Sequence, residues 1–147
     1  GWYLDLQRWR RYTEETPPWH PHPVTVPPGN IKALHRQLQK IHAIGLDAWL
    51  ARHTHAAARF RAGLTERGLQ ALVRGPAAAP MLTITGLPEG ADQTAVINQL
   101  RERYGLYCSG GFGFFQGRAL RIGHMGKAAS DEYVDAALAA LGELFPA

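Results

Sequence analysis

A chain of 147 residues with 46% hydrophobic and 19% charged side chains can bury a core of its own and falls outside the disordered class. Its net charge of +4 rests mostly on arginine, with Lys32, Lys40 and Lys127 the only lysines; it permits phosphate or carboxylate ligands and is too modest for a nucleic-acid signature. The single cysteine, Cys108, excludes an internal disulfide framework and leads to the expectation of a reducing cytoplasm, and no apolar run approaches the roughly 20 residues that span a bilayer.

The chain opens at 1–6 without an initiator methionine and without the basic-then-apolar plan of a signal peptide, so a piece of a longer protein is expected. Residues 1–16 are rich in Trp, Tyr and Arg. Residues 17–29 then hold six prolines in thirteen positions. Proline fixes φ and removes a backbone donor, which predicts an extended, irregular linker. Nothing before it is long enough to fold alone, and Trp2, Tyr3, Trp9 and Trp19 are expected to need a partner surface.

Asn30 is a good N-cap, and after it Ile31, Leu34, Leu38 and Ile41 fall at helical spacing. Gly45 interrupts. A second amphipathic run carries Leu46, Trp49, Leu50, His53, Phe60 and Leu64 and ends near Gly68. Two helices, or one long kinked helix, are predicted over 30–67. The period then changes to two. Leu69, Ala71 and Val73 predict a short strand, 81–87 a clearer one, and 88–92 a turn that caps a helix with Val96, Ile97, Leu100 and Tyr104 on one face. A short strand at 106–108 enters a glycine-rich loop at 110–117, and 119–123 reads as another strand. Ser130, followed by Asp131 and Glu132, starts a last helix with Val134, Ala137, Leu138 and Leu141 facing inward. This order predicts an α+β fold: a small, largely antiparallel sheet with helices on one face, preceded by a long kinked helical arm.

The segment richest in chemistry is Gly110-Gly111-Phe112-Gly113, then Gly117, then Arg121-Ile122-Gly123-His124-Met125-Gly126. Glycines let a backbone approach a ligand closely, and an arginine forks two donors onto a planar carboxylate as lysine cannot. Alternation along the strand turns Leu120 and Ile122 inward and Arg121 outward. By spacing alone, Arg121 is either a carboxylate anchor or a solvated arginine beside a turn.

This segment resembles the glycine-loop and RIGHMG signature of class V pyridoxal-phosphate-dependent aminotransferases of the alanine–glyoxylate and serine–pyruvate branch. Tyr3-Leu4-Asp5, Thr16-Pro17, Pro23-Val24, 33–46, 51–53, the strand and turn at 83–92, 104–106 and the final helix are similar in order and spacing. The resemblance implies the C-terminal small domain of such an enzyme over 30–147, with 1–29 a remnant of the large domain plus a linker. It implies that Arg121 binds the carboxylate of a small amino acid or 2-oxo acid, with Gly110 and Gly111 near the substrate entrance. It also implies a homodimer in which the linker reaches the neighbouring subunit's cofactor phosphate. The family's usual donors are absent there, which leaves His20 as the substitute. The Schiff-base lysine lies upstream in the family, and none of the three lysines matches it. The isolated chain is therefore expected to be inactive and to bind no pyridoxal phosphate alone.

Three other readings compete with this one. Residues 111–115, Gly-Phe-Gly-Phe-Phe, mimic the stacking strand of an RNA-recognition module, but Gly110, Gly117 and Thr83 stand where that module needs a basic residue and aromatics. His20/His22 and His53/His55 are i, i+2 pairs, a spacing that does not share a helical face, so no metal site is expected; His35 and His42 do share a stripe. Trp19, Trp49 and Phe60 read as packing residues and Cys108 as a small core residue. A non-catalytic ligand-sensing or interaction domain derived from an aminotransferase is the remaining alternative.

Overall fold

The computed structural model describes residues 1–16, 19, 20 and 22–146. The chain forms two compact units, Gly1–Ile44 and Gly45–Ala147.

In the first unit a 3₁₀ turn at Trp2–Leu4 leads into helix α1, Leu6–Glu15. Asp5 caps α1: one carboxylate oxygen accepts the N–H groups of Gln7 and Arg8 at 3.1 and 3.2 Å. The Trp9 indole donates to the Tyr3 carbonyl at 2.8 Å, and their rings meet edge-on at 5.8 Å. Helix α2 runs Pro28–Ile44. It starts before the expected cap, because a proline at the first helical position gives up only an N–H that would have no partner there. Asn30 therefore lies inside the first turn. Neither α1 nor α2 buries a residue. Trp19, expected to pack, is 80% exposed, with its ring edge-on to that of His20, since among the described residues the helices of this unit bury no side chain that could receive it. Pro17, Pro18 and Pro21 of the proline-rich stretch lie outside the described residues.

The second unit opens at Gly45, whose φ of 92° belongs to glycine, and continues as helix α3, Leu46–Glu66. Strands β1 (Leu82–Gly86), β2 (Ser109–Gly110) and β3 (Ala119–Gly123) form an antiparallel sheet in the order β1-β3-β2. Register runs from Leu82 opposite Gly123 to Gly86 opposite Ala119 on one side, and Ser109 opposite Arg121 on the other. Helices α4 (Gln93–Tyr104) and α5 (Asp131–Leu144) join α3 on one sheet face. Phe60, Leu64, Leu100, Leu120, Val134 and Leu141 make the core between them. Among the described residues no helix is long and apolar enough to cross a membrane.

Two expected strands contract. The one at 69–73 is a single bridge, Ala71 opposite Thr85, because the Leu69 N–H closes the end of α3 on the Leu64 carbonyl. The one at 106–108 pairs only from Ser109 onward. Gly105, left-handed at φ 64°, ends α4, and the Leu106 N–H is held by the Leu100 carbonyl as part of that cap.

Candidate functional site

Arg121 sits at the middle of β3, between the buried Leu120 and Ile122. The pleat sends those two into the helical layer and Arg121 to the opposite face, beside Ile84 of β1. Its Nε donates to the Gly110 carbonyl at 2.9 Å, and its guanidinium carbon lies 4.6 Å from the centre of the Phe112 ring. Among the described residues no carboxylate pairs with it. Asp92 accepts the N–H groups of Thr94 and Ala95 at the start of α4, and Asp131 faces His55 and Arg59. The two terminal nitrogens have no protein acceptor among the described residues.

The glycine loop forms the rim. A side chain at Gly111 would run into the Phe115 backbone carbonyl, so that position requires glycine for space, whereas one at Gly110 would push aside the amide end of Gln93. The Gly111 N–H goes to the Ala119 carbonyl at 2.7 Å. Gln93, the first residue of α4, accepts from the N–H groups of Gly111 and Gly117 at 3.1 and 3.0 Å. Residues Gly113–Phe115 make a 3₁₀ turn, which leaves Phe112 69% exposed and Phe114 78% exposed. Ile84, Phe112, Phe114, Phe115 and Arg121 border a shallow cavity of about 340 Å³. The aromatics therefore project from a turn, not from a sheet strand as an RNA-stacking module would have them.

The rest of the motif ties the sheet to α3. His124 is buried, with Nε2 2.9 Å from the Thr83 hydroxyl, which also accepts from the Arg61 Nε at 3.2 Å. Burial, and behind it the Arg61 charge, hold this imidazole below its ordinary 6.5 and so neutral. Gly126, at φ 59°, takes Arg52 on its carbonyl at 2.8 Å and gives its N–H to Nε2 of the buried His53 at 3.3 Å. His53 Nδ1 meets the Trp49 carbonyl at 2.7 Å, which places the ring proton there. His53 and His55 thus have separate partners, and no three His, Cys, Asp or Glu side chains gather among the described residues. Phe60 is a core residue as expected, Trp49 lies under the Arg52 guanidinium at 4.3 Å, and Cys108 packs against the core with its thiol pKa raised by burial.

Of the sequence-predicted site residues, the structure brings Arg121, Gly110 and Gly111 together. His20 belongs to the other unit, exposed, with Nδ1 3.2 Å from the Tyr12 hydroxyl. Lys32 and Lys40 on α2 and Lys127 in the turn Gly126–Ala128 are exposed. A lysine that serves as a covalent anchor and proton carrier works from a desolvated pocket, and these three all face solvent. Gln93 is the residue that sequence reasoning missed; a polar first-turn residue carries no periodic signal that marks it.

A small three-stranded antiparallel sheet backed by helices is the fold of aminotransferase C-terminal domains. No protein-family model matches the chain. It is 38% identical over 123 residues to the pyridoxamine–pyruvate transaminase of Mesorhizobium japonicum, covering 83% of this chain and 31% of that protein. It is 35% identical over 120 residues to the alanine–glyoxylate aminotransferase of Callithrix jacchus, covering 81% and 29%. Among solved structures, the alanine–glyoxylate aminotransferase of Nostoc superposes with a TM-score of 0.85 at 29% identity, covering 98% of this chain and 37% of that one. The chain spans about a third of the length of these relatives. It belongs to the class V aminotransferases, as the counterpart of their C-terminal domain.

Proposed function

We propose that this chain is the C-terminal domain of a pyridoxal-phosphate-dependent transaminase that moves an amino group between a small amino acid and a 2-oxo acid, and that Arg121 anchors the substrate carboxylate. The carrying observation is the state of the guanidinium: Nε is engaged by the Gly110 carbonyl while the terminal nitrogens stay free of carboxylates. That leaves an end-on, two-donor fork of the shape a carboxylate accepts. Glyoxylate and pyruvate, which name the relatives' reactions, are both 2-oxo acids with that group. Gly110 and Gly111 keep the rim low enough for a substrate to reach the fork.

The cofactor would supply the electron sink for amino-group exchange; this domain would bind and orient the substrate. Its lysines are exposed, so the chain alone should not transaminate. Mixed with pyridoxal phosphate and borohydride, it should yield no stoichiometric adduct at one lysine, and such an adduct would overturn the domain reading. His20 is the candidate for the phosphate contact toward a neighbouring subunit of a homodimer.

Truncating one partner of a desolvated, charge-assisted pair costs about 2–5 kcal/mol. Arg121→Lys or Arg121→Ala in the whole enzyme should therefore weaken use of amino and oxo acids by about 30-fold to several thousand-fold. Cofactor absorbance should be unchanged. Full activity in either variant would leave a ligand-sensing or interaction domain as the better account.

A further inference from the structure

The geometry points to Gln93 as a positioning residue that holds the substrate arginine in place through the glycine loop, an inference that rests on Arg121 being the carboxylate anchor. Arg121 touches two parts of this loop: the Gly110 carbonyl, on its Nε, and the Phe112 ring, under its guanidinium plane. Neither part is held by a long strand. β2 is two residues long, and the segment from Gly111 to Gly117 leaves the ladder and returns through a 3₁₀ turn. A loop of that kind would let the arginine sample several positions.

Gln93 closes it. One oxygen, Oε1, accepts both the Gly111 N–H and the Gly117 N–H, so the two ends of the excursion meet at a single atom. Both partners are donors, which fixes the amide orientation: the acceptor must be the oxygen. The Gly111 N–H has a second acceptor in the Ala119 carbonyl, whereas Gly117 has none but Gln93 among the described residues. The side chain reaches this point because Gly110 has no Cβ; any side chain there would strike the Gln93 amide. Gln93 in turn begins α4 directly after Asp92, whose carboxylate pins the first turn through the Thr94 and Ala95 N–H groups. The order of support is thus Asp92 cap, Gln93 oxygen, loop, then Gly110 carbonyl and Phe112 ring, then Arg121. Gln93 acts only through these, without touching substrate itself. Pre-organising a binding group in this way lowers the ordering cost of each binding event.

The oxygen's role as acceptor defines the experiment. Gln93→Leu removes it at similar size, Gln93→Glu retains it, and Gly110→Ala displaces it. Amide exchange of Gly117 in this chain should accelerate on the order of 10- to 100-fold in Gln93→Leu and in Gly110→Ala, and stay near the parent rate in Gln93→Glu. In the whole enzyme, Gln93→Leu should raise KM for the amino and oxo acid about tenfold with kcat changed less than about threefold, and Gln93→Glu should restore KM. Unchanged Gly117 exchange in Gln93→Leu overturns the clamp and leaves the Arg121 reading standing. Faster exchange with unchanged KM shows a loop brace without influence on binding, which also overturns it. A variant that lowers kcat and raises KM alike in Leu and Glu forms reports damage to the fold, and contradicts an acceptor-specific role. Full activity in Arg121→Lys would instead remove the reading on which the inference rests.

Discussion

Helices α2 and α5 are built on the same pattern and meet opposite fates. In α5, Val134, Ala137, Leu138 and Leu141 recur at helical spacing and are buried. In α2, Ile31, Leu34 and Leu38 recur in the same way and are each more than half exposed. Helix α3 shows both within itself: Leu46 and Leu50 face solvent, while Phe60 and Leu64 close the core. An apolar stripe states that a face is to be covered; it does not carry the cover. In the second unit the sheet and neighbouring helices supply it. In the first, the described residues do not, and an apolar surface of this extent is of the kind that drives association.

The largest expected effect tests the covered side. Phe60→Ala should destabilise the second unit by about 3–5 kcal/mol, read as a lowered denaturant midpoint at unchanged slope. A loss below about 1 kcal/mol would mean that the core is not the one described. An intermediate effect comes from a buried polar group of that unit, His124. His124 faces Thr83, Arg61, His53 and the Pro80 carbonyl, and its pKa is lowered from 6.5 by burial first and Arg61 second. Below 6.5 the unfolded chain takes up a proton that the folded chain does not, so folded stability should fall as pH drops from there; above it this group contributes no pH slope. Urea unfolding between about pH 8 and about pH 5 should show this slope, and it should flatten in His124→Gln. A parent protein whose stability is level or rising toward acid would contradict the buried neutral imidazole. The smallest effect tests the exposed side. Leu34→Ala and Leu38→Ala should change stability of the second unit by less than about 0.5 kcal/mol, while reducing self-association measured by light scattering. A cost like that of Phe60→Ala would erase the contrast between the two units.

Much of the fold was readable because its signals are local. The alternation that turns Arg121 away from Leu120 and Ile122, the Asp92 cap, and the acidic first turn of α5 each involve residues one to four apart, and each reappears in the structure. The alternation at 69–73 is real but short-lived: the end of α3 takes the Leu69 N–H, and only the Gln70 carbonyl and the Leu72 N–H, either side of the Ala71 bridge, bond to β1. Helix α1 had no predicted counterpart: Leu6, Trp9 and Tyr12 do recur at helical spacing, but the run is only ten residues long and buries none of them.

By itself, then, the sequence determined the α+β order, the face on which Arg121 emerges, and the family through the RIGHMG block. Only the tertiary structure decided what holds that arginine. Gln93 lies 18 and 24 residues from the two amides it joins, Thr83 lies 41 from His124, and Arg52 lies 74 from Gly126. Such contacts have no period along the chain, because they are set by which elements pack together, and a polar side chain spaced so far from its partner looks the same in sequence whether it braces a site or faces water.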